Sequence, residues 1–469
     1  MNSDQICYSS ASDLAAAVRA KDVSPVEITE AVLDRIERLN PQLNAFCTMM
    51  NDEALAAATL AEQQVARGDS LGPLHGVPVS VKDNLYVKGV RTTFGSKLLE
   101  HDVTDADAPS IERLRAAGAI LIGRTNSPEF GWKGVCDNLV FGTTRNPWNL
   151  DLTPGGSSGG SSAAVASGLG PIGMGTDGGG SLRIPASFCG IVGHKASFGR
   201  VPTWPGVSVG DLRHIGGMTR TVADSALLLD VLAGPDERDH ASLPADDVDY
   251  VANLTRGIDG LRIAYSGDLG YAVTHDEVAQ ACVSTALSLA DAGARVDQVE
   301  LDWQDPHACW SVFFYGASAA RLGSELAEKA HMLDPGLRKC VEHAVTMTAA
   351  DLTQAMAERE AFWQQVRVLF ESYDLLITPT LAVPPFPINQ DNADSLTGKP
   401  QGELQWTQFT YPFNLTGQPA CSVPAGWTTD GLPIGVQIIG PRFGDAVVLR
   451  AARAIEESQP WADRWPELS

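Results

Sequence analysis

Apolar residues recur at helical spacing in the first part of the chain. Residues 13–20, 25–39 and 52–66 each place alanine, leucine, valine or isoleucine on one face, and this pattern predicts three helices. Ser24 stands directly before the second of them and is expected to cap its first turn. We therefore expect residues 1–68 to form a helical entry segment.

Alternation with a period of two predicts strands further along the chain. Val77, Val79 and Val81 alternate with proline, serine and lysine, so this strand would carry Lys82 at or near its end. Further strands are predicted at residues 119–123, 188–195, 262–265, 295–299, 374–380, 420–424 and 434–439, and helices at residues 108–117, 222–232, 277–292 and 447–457 and over most of 310–370. Helices that alternate with short apolar strands are typical of an α/β fold with a largely buried sheet.

Composition limits the classes of function. The formal net charge of −23 would repel phosphate backbones, so nucleic acid is not an expected ligand. Eight cysteines are scattered without a zinc or disulfide spacing, and nine histidines form no HxxxH or HExxH pattern, which argues against a metal site. The sequence shows neither a signal-peptide pattern nor a membrane-length apolar run, so we expect a cytoplasmic protein with no membrane partner.

The stretch from residue 153 to residue 185 contains two glycine and serine clusters, PGGSSGGSS and GTDGGGS. Glycine inside helices and strands costs about 0.5–1 kcal/mol relative to alanine, so we expect a need other than packing for bare backbone there. A phosphate cradle is one interpretation, but neither GxxxxGK[ST] nor GxGxxG after a clear strand is present. A nucleophile elbow is another, since Gly156, Ser158 and Gly160 satisfy GxSxG, although the last histidine, His343, lies well before the end of the sequence.

A third interpretation uses both clusters. Gly178, Gly179 and Gly180 can present consecutive N–H groups around the hydroxyl of Ser181, which would place an oxyanion hole beside its own nucleophile. A serine nucleophile needs a base, which can be a histidine or a neutral lysine. The two clusters therefore favour acyl transfer chemistry.

The base in this third interpretation can be one of two lysines. Ser157 of the first cluster offers a hydroxyl that could relay a proton, and Lys82 and Lys195 are available. A lysine base must be neutral near pH 7, which requires on the order of 4 kcal/mol from burial and neighbouring groups. The apolar strand that ends at Lys82 would supply burial better than a loop, but composition and spacing leave the choice open.

A long and ordered similarity to a known family selects among these residues. PGGSSGGSSAAVASG followed by GTDGGGSLRIPASFCGIVGHK resembles the amidase signature family, and the similarity extends to GAILIGRTN, DLLITPT and FNLTGQPACSVPAGWTTDGLPIGVQIIGP, so it covers most of the chain. The resemblance implies that Ser181 is the nucleophile, that Ser157 is the bridging serine in a cis peptide, and that Lys82 in HGVPVSVKDN is the base. It also implies that the N–H groups of Gly178, Gly179, Gly180 and Ser181 hold the oxyanion.

The same resemblance implies a fold and a division of the chain. It predicts a large mixed β-sheet covered by helices on both faces, within a single domain over residues 1–469. Residues 69–234 would form the catalytic core. A polar, acidic linker at residues 235–249 would lead to a second part, residues 250–469, whose variable helices line the substrate pocket. No cofactor is implied.

Residues around the nucleophile are expected to support it. Asp177 and Arg183 flank Ser181 with opposite charges and are expected to fix its loop. Thr176 is expected to orient the same turn, and Ser158 to stand at the start of a helix. Aromatic residues in loops that flank this core are candidates for substrate contact: Phe130, Trp132 and Trp204.

The expected function is that of a stand-alone serine amidohydrolase, which would cleave amides, aryl amides, esters or carbamates through one acyl-enzyme route. The alternative is the glutaminase-type A subunit of a tRNA-dependent amidotransferase. Ile184 stands where that glutaminase usually carries glutamine, and the acidity of the chain further weakens the tRNA-linked interpretation. The expected ligand is a small-molecule amide or carbamate, and the expected oligomer is a homodimer.

Overall fold

The computed structural model describes residues 1–205, 210–393 and 405–468. Within these ranges the chain forms sixteen α-helices and thirteen strands, besides short 3₁₀ turns. The helices are α1 (Ser3–Tyr8), α2 (Ala11–Ala20), α3 (Pro25–Leu43), α4 (Asn51–Arg67), α5 (Pro109–Ala116), α6 (Gly159–Ala166), α7 (Arg183–Cys189), α8 (Val222–Leu232), α9 (Tyr250–Asn253), α10 (Asp276–Ser288), α11 (His307–Leu322), α12 (Leu326–Lys329), α13 (Pro335–Ala344), α14 (Ala349–Ser372), α15 (Pro412–Leu415) and α16 (Asp445–Ser458). The strands are β1 (Phe46–Met49), β2 (Pro78–Lys82), β3 (Ile120–Thr125), β4 (Asp137–Asn138), β5 (Gly142–Thr143), β6 (Ile172–Asp177), β7 (Val192–Lys195), β8 (His214–Thr219), β9 (Arg262–Tyr265), β10 (Arg295–Gln298), β11 (Leu375–Pro379), β12 (Ala420–Trp427) and β13 (Pro433–Ile439).

Eleven of these strands form one mixed sheet in the order β1-β3-β2-β6-β8-β7-β12-β13-β11-β9-β10. Strand β2 runs parallel to β3 and β6, and β9 runs parallel to β10 and β11. The other neighbouring pairs are antiparallel. The predicted α/β fold with a large mixed sheet is thereby confirmed.

The parallel pairing of β2 with β6 decides where the site forms. Parallel neighbours end at the same edge of a sheet, so Lys82 at the end of β2 lies at the edge where β6 ends, and its Nζ is 3.2 Å from Thr176 Oγ1. The sheet also joins early and late parts of the chain, because Lys195 of β7 pairs with Ala420 of β12. The division into a catalytic core and a second part stays a prediction.

Helices cover both faces of the sheet at β13. Arg183 of α7 donates a hydrogen bond to Gln437, so α7 packs on one face. The alternate residues Val436 and Ile438 point to the other face, into the main core cluster with residues of α10 and α16. Among the described residues, no helix is both long and apolar enough to cross a membrane.

Most of the predicted helices and strands lie within a few residues of the observed elements. Ser24 caps α3 and shares a capping box with Glu27, and α8 has the predicted bounds. The strand predicted at residues 188–195 is shorter, because its first residues belong to α7. That helix ends at Cys189 and is capped by Gly190, whose φ of 69° is readily adopted only by glycine, and β7 begins two residues after this cap.

Strands β6 and β8 lie in the middle of the sheet, yet the apolar pattern does not predict them. Both are rich in glycine, and helices pack directly on their bare backbone. A Cβ at Gly175 would lie 2.6 Å from Ser158 Oγ, and a Cβ at Gly217 would lie 2.2 Å from a Leu228 methyl carbon. Close packing therefore favours glycine at these positions, and for Gly175, which belongs to the second cluster, this corrects the expectation that packing alone would not favour it.

Candidate active site

Lys82 ends β2 and is completely buried. Its Nζ lies 2.6 Å from Ser157 Oγ, 3.1 Å from Ser158 Oγ and 3.2 Å from Thr176 Oγ1. All three partners are hydroxyl groups, and within the described ranges no carboxylate oxygen lies within 4.0 Å of this amine. The structure therefore brings the lysine and the first serine of the predicted triad into contact.

Burial sets the protonation of this lysine. It lowers the pKa of Lys82 from 10.5 to about 7, Cys136 and Asp177 act to raise the pKa, and Arg213 acts to lower it further. A large fraction of the amine is therefore neutral near pH 7. A neutral amine has a lone pair with which it can accept a proton from the Ser157 hydroxyl.

Thr176 and Ser158 surround the amine rather than only shaping the turn. Ser158 Oγ donates to the Thr176 carbonyl oxygen at 3.2 Å, and Asn84 Nδ2 donates to Thr176 Oγ1 at 2.9 Å. Sequence reasoning missed Asn84, although it follows Lys82 by only two positions. The hydroxyl groups around the lysine are thus held by bonds of their own.

Ser157 precedes α6 and is 2% exposed. The peptide bond between Gly156 and Ser157 is cis, as the resemblance implies. Gly131 lies across from this serine, since a Cβ on Gly131 would be 3.0 Å from Ser157 Oγ.

Ser181 lies on the turn between β6 and α7 and is partly exposed. It borders a cleft with a larger and a smaller part, which adjoin at Gly131, Ser181 and Phe314. Ser157 borders the larger part, so both serines adjoin one space. Among the residues that the structure describes, no group of three histidine, cysteine or carboxylate side chains could hold a metal ion.

The loop that carries the predicted oxyanion donors is held by its carbonyl groups. Trp310 Nε1 donates to the Gly178 oxygen at 2.9 Å, and Thr410 Oγ1 donates to the Gly179 oxygen at 2.7 Å. The N–H of a trans peptide points away from its C=O, so the bond from Trp310 turns the Gly179 N–H to the opposite side of the loop. Residues distant in sequence therefore set the direction of this donor.

Gly180 departs from the prediction. Its N–H donates to Asp177 Oδ1 at 2.7 Å, so it is committed to a carboxylate and cannot also serve an oxyanion. In the described part of the chain, the N–H groups of Gly178, Gly179 and Ser181 have no such acceptor. The assignment of Gly180 as an oxyanion donor is therefore wrong, and the candidate donors are these three.

Asp177 and Arg183 form a fully buried ion pair, with 3.0 Å between Oδ1 and Nη2. Burial acts to raise the pKa of Asp177, but the charge and hydrogen bonds of Arg183 outweigh it and hold the pKa well below its usual range. Arg183 also donates to Asn414 Oδ1 at 2.8 Å and to Gln437 Oε1 at 2.6 Å. Asn414 and Gln437 carry no local sequence signal, because they join the pair only through the fold.

Lys195, the other candidate base, lies in different surroundings. It is buried at the end of β7, donates to the Gln418 carbonyl oxygen and lies 3.4 Å from His214 Nε2. Burial lowers the pKa of Lys195 to about 7 as well, so the pKa values do not distinguish the two lysines. Their positions distinguish the two lysines, because the described contacts of Lys195 include neither Ser157 nor Ser181.

Five aromatic residues contribute to the walls of the cleft. Phe130 borders the larger part and Trp132 borders the smaller part, where we expected substrate contacts. Trp310 and Phe314 of α11 also contribute, which fits helices of the second part lining the pocket. Sequence reasoning missed three residues that border the larger part, which come from loops without a local signal: Asn84, Phe94 and Arg213.

Trp204 does not belong to these walls. The guanidinium of Arg238 lies 5.1 Å from its ring centroid, and Trp204 borders neither part of the cleft. The preceding Thr203 donates its N–H to Asp239 at 2.8 Å, which draws this loop toward the acidic segment. Trp204 therefore lies outside the two described parts of the cleft, and its contact with substrate stays a prediction.

Comparison with known sequences places the chain among amide-cleaving proteins. Residues 27–449 match the family model described as Amidase. The chain is 39% identical over 472 residues to an acylamidase of Rhodococcus erythropolis, covering 99% of this chain and 98% of that protein. It is 36% identical over 480 residues to the A subunit of the glutamyl-tRNA(Gln) amidotransferase of Trichlorobacter lovleyi, covering 96% and 97%.

Comparison with solved structures gives the same grouping. A bacterial aryl acylamidase of the amidase signature enzymes has a TM-score of 0.92 at 32% identity, with 97% of both chains covered. The A subunit of the glutamyl-tRNA(Gln) amidotransferase of Thermotoga maritima has a TM-score of 0.76 at 32% identity, with 93% of this chain and 92% of that chain covered.

Proposed function

The chain belongs to the amidase signature family and hydrolyses amide C–N bonds. We propose that it is a stand-alone amidohydrolase with Ser181 as its nucleophile. Lys82 is the base, and Ser157 passes the proton between them. The N–H groups of Gly178, Gly179 and Ser181 receive the oxyanion.

Acylation begins with proton transfer. Neutral Lys82 accepts the proton of the Ser157 hydroxyl while Ser157 accepts that of Ser181, and the Ser181 oxygen attacks the amide carbonyl. The carbonyl π electrons move to oxygen, which becomes the oxyanion of a tetrahedral intermediate. When the C–N bond breaks, the proton returns through Ser157 to the leaving nitrogen.

Deacylation uses the same groups in the same order. Water takes the place of the amine and loses a proton through Ser157 to Lys82 as it attacks the acyl ester. Collapse of the second tetrahedral intermediate releases the carboxylic acid and returns the proton to the Ser181 oxygen. One base therefore serves both halves of the reaction, and no cofactor takes part in this route.

The observation that carries the proposal is the 2.6 Å contact between Lys82 Nζ and Ser157 Oγ. Because this amine is buried among hydroxyl groups, its neutral form is populated near pH 7. An exposed lysine would remain protonated at that pH and could not accept a proton.

Several observations favour a stand-alone enzyme that acts on small amides. The aromatic walls suit aryl or long alkyl groups, and the TM-score is higher for the aryl acylamidase than for the Thermotoga maritima protein. Ile184 borders the cleft where the tRNA-linked glutaminase is expected to carry glutamine. A net charge of −23 also disfavours a tRNA-bound partner.

The second candidate is the glutaminase-type A subunit of a tRNA-dependent amidotransferase. The 36% identity to the Trichlorobacter lovleyi protein over 96% of the chain supports it. This candidate predicts glutaminase activity and copurifying partner chains, whereas the first predicts activity from the chain alone.

A test uses the purified chain without partners, with 4-nitroacetanilide, phenyl carbamates and glutamine as substrates. We expect hydrolysis of the anilide and a loss of at least about a thousandfold in kcat for Ser181→Ala. Ser284→Ala, an exposed serine on α10, is the matched control and should retain activity. Retention of full activity by Ser181→Ala would contradict the proposed nucleophile, and activity on glutamine only would favour the second candidate.

A further inference from the structure

One guanidinium group borders the larger part of the cleft, and a second lies against two of the phenylalanines that line it. Arg213 borders this space together with Ser181 and is only 7% exposed. Arg321 of α11 places its guanidinium carbon 4.6 Å from the ring centroid of Phe94 and 4.4 Å from that of Phe130. Both phenylalanines border the same space, and the charge of Arg321 acts on Arg213, so the two guanidinium groups lie near each other at this end of the cleft.

Neither charge is neutralised by the part of the protein that the structure describes. Among the residues that the structure describes, no carboxylate oxygen lies within 4.0 Å of the guanidinium of Arg213 or of Arg321. Arg213 Nη1 donates to the Pro205 oxygen at 3.0 Å, whereas Arg321 Nη1 is buried without a hydrogen-bond partner. The carboxylate of Asp239 acts on Arg213 from a greater distance and accepts the N–H of Thr203.

Such a pair is unfavourable unless something else compensates it. Burial, followed by the charge of Arg321, lowers the pKa of Arg213 to about 10, and the group remains protonated at neutral pH. Two like charges out of water repel each other, and a bound anion relieves both the repulsion and the unmade hydrogen bonds. The chain as a whole carries −23, so a local positive site does not follow from composition.

The aromatic residues beside the two charges are held in an uncommon backbone conformation. Phe94 and Phe130 have φ angles of 55° and 52°, in the left-handed region that bulky residues rarely adopt. The Phe130 N–H donates to the Phe94 oxygen at 2.8 Å, and the ring centroids are 5.9 Å apart. Strain of this kind is typical of functional sites, and here it presents an apolar wall next to the guanidinium groups.

We propose that the preferred substrates are amides that carry a carboxylate on an apolar chain or ring. Arg213 and Arg321 would bind the carboxylate through charge-assisted hydrogen bonds. The apolar part would pack against Phe94 and Phe130 while the amide carbonyl reaches Ser181. This inference rests on the proposed function of Ser181, because both place the amide in the same cleft.

Two pairs of nearly isosteric anilides test the proposal. The first pair carries the carboxylate on the acyl side, glutaryl-4-nitroanilide against 5-methylhexanoyl-4-nitroanilide. The second carries it on the amine side, 4-acetamidobenzoate against 4-isopropylacetanilide. We expect kcat/KM to be about tenfold or more higher for the anionic member of at least one pair, the effect of one charge-assisted hydrogen bond.

Variants assign the preference to the two arginines. Arg213→Gln and Arg321→Gln should each reduce the ratio of anionic to neutral turnover about tenfold, while Arg67→Gln, at the exposed end of α4, should not. Arg213 also lowers the pKa of Lys82, so its replacement slows both members at neutral pH. The ratio at pH 9 is therefore the quantity to compare, and the Arg321 variant carries the test if the Arg213 variant does not fold.

The outcomes separate this inference from the proposed function. Equal or faster turnover of the neutral members in both pairs, or a ratio unchanged in both glutamine variants, would overturn it. Hydrolysis of neutral anilides that depends on Ser181 but shows no preference for carboxylates would leave the proposed function intact. Loss of the preference in both arginine variants, with Ser181→Ala inactive on every substrate, would support both.

Discussion

Replacing Lys82 with methionine should affect stability and activity in opposite ways at neutral pH. The proposed base is a buried amine whose pKa falls from 10.5 to about 7. Methionine has a similar length and no charge, so it removes the base and also the cost of burying an ionisable group. We expect kcat to fall at least about a thousandfold. The folded state should not be destabilised by the loss of the charge, because the buried amine is largely neutral near pH 7.

The size of the stability effect follows from proton linkage. The unfolded chain keeps the lysine protonated up to about pH 10.5, whereas the folded chain releases the proton above about pH 7. Between these values the unfolded state binds more protons, so the stability of the wild type rises with pH there. At pH 7 the lysine costs about 4 kcal/mol, and at pH 10 it costs less than about 1 kcal/mol.

Methionine also gives up three hydrogen bonds worth about 1 kcal/mol each, and this loss does not depend on pH. The variant should therefore be about 1 kcal/mol more stable than the wild type at pH 7 and about 2 kcal/mol less stable at pH 10. An unfolding entropy of about 1 kcal/mol/K, expected for a chain of 469 residues, converts the change between the two pH values into about 3 °C.

The assay is the thermal midpoint of Lys82→Met and wild type, followed by circular dichroism at pH 7 and pH 10. Groups that titrate in both proteins cancel when the two midpoints are subtracted, and these include Lys195. Ser181→Ala serves as a control without activity, and its midpoint should follow that of the wild type at both pH values. A midpoint difference between Lys82→Met and wild type that is the same at pH 7 and pH 10 would refute the argument, because Lys82 would then titrate as an ordinary lysine.

Two further predictions concern activity. The value of kcat/KM should fall about tenfold per pH unit below about pH 7 and level off above it, because only neutral Lys82 can act as the base. Burial also raises the pKa of Glu129 to about 7, so Glu129→Gln is the control, and loss of the acidic limb in that variant would assign the limb to Glu129 instead. Trp310→Phe keeps an aromatic wall but removes the donor to the Gly178 carbonyl, so kcat should fall about fivefold with a smaller change in KM. Phe314→Leu should instead change mainly KM. A kcat for Trp310→Phe equal to that of the wild type would show that the bond from Trp310 to the Gly178 oxygen does not orient the Gly179 N–H.

Local sequence carries much of the helical structure and part of the sheet. The bounds of α8 and β9 match the prediction, and Ser24 caps α3, because capping and periodicity depend on neighbours within a few positions. Strands β6 and β8 have no such pattern. Their glycines fit the backbone closely against α6 and α8, and that requirement exists only once the helices are packed.

The sequence by itself determined the chemical groups of the candidate site: two serine clusters, a glycine turn, and two lysines able to act as a base. Resemblance to the family already selects Lys82 from the sequence, and the tertiary structure supplies the physical reason, because the fold places Lys82 Nζ 2.6 Å from Ser157 Oγ and leaves Lys195 beside His214. The tertiary structure also withdrew Gly180 from the oxyanion donors. Hydrogen bonds, burial and lowered pKa values depend on atoms a few ångströms apart, and only the folded chain brings residues distant in sequence that close.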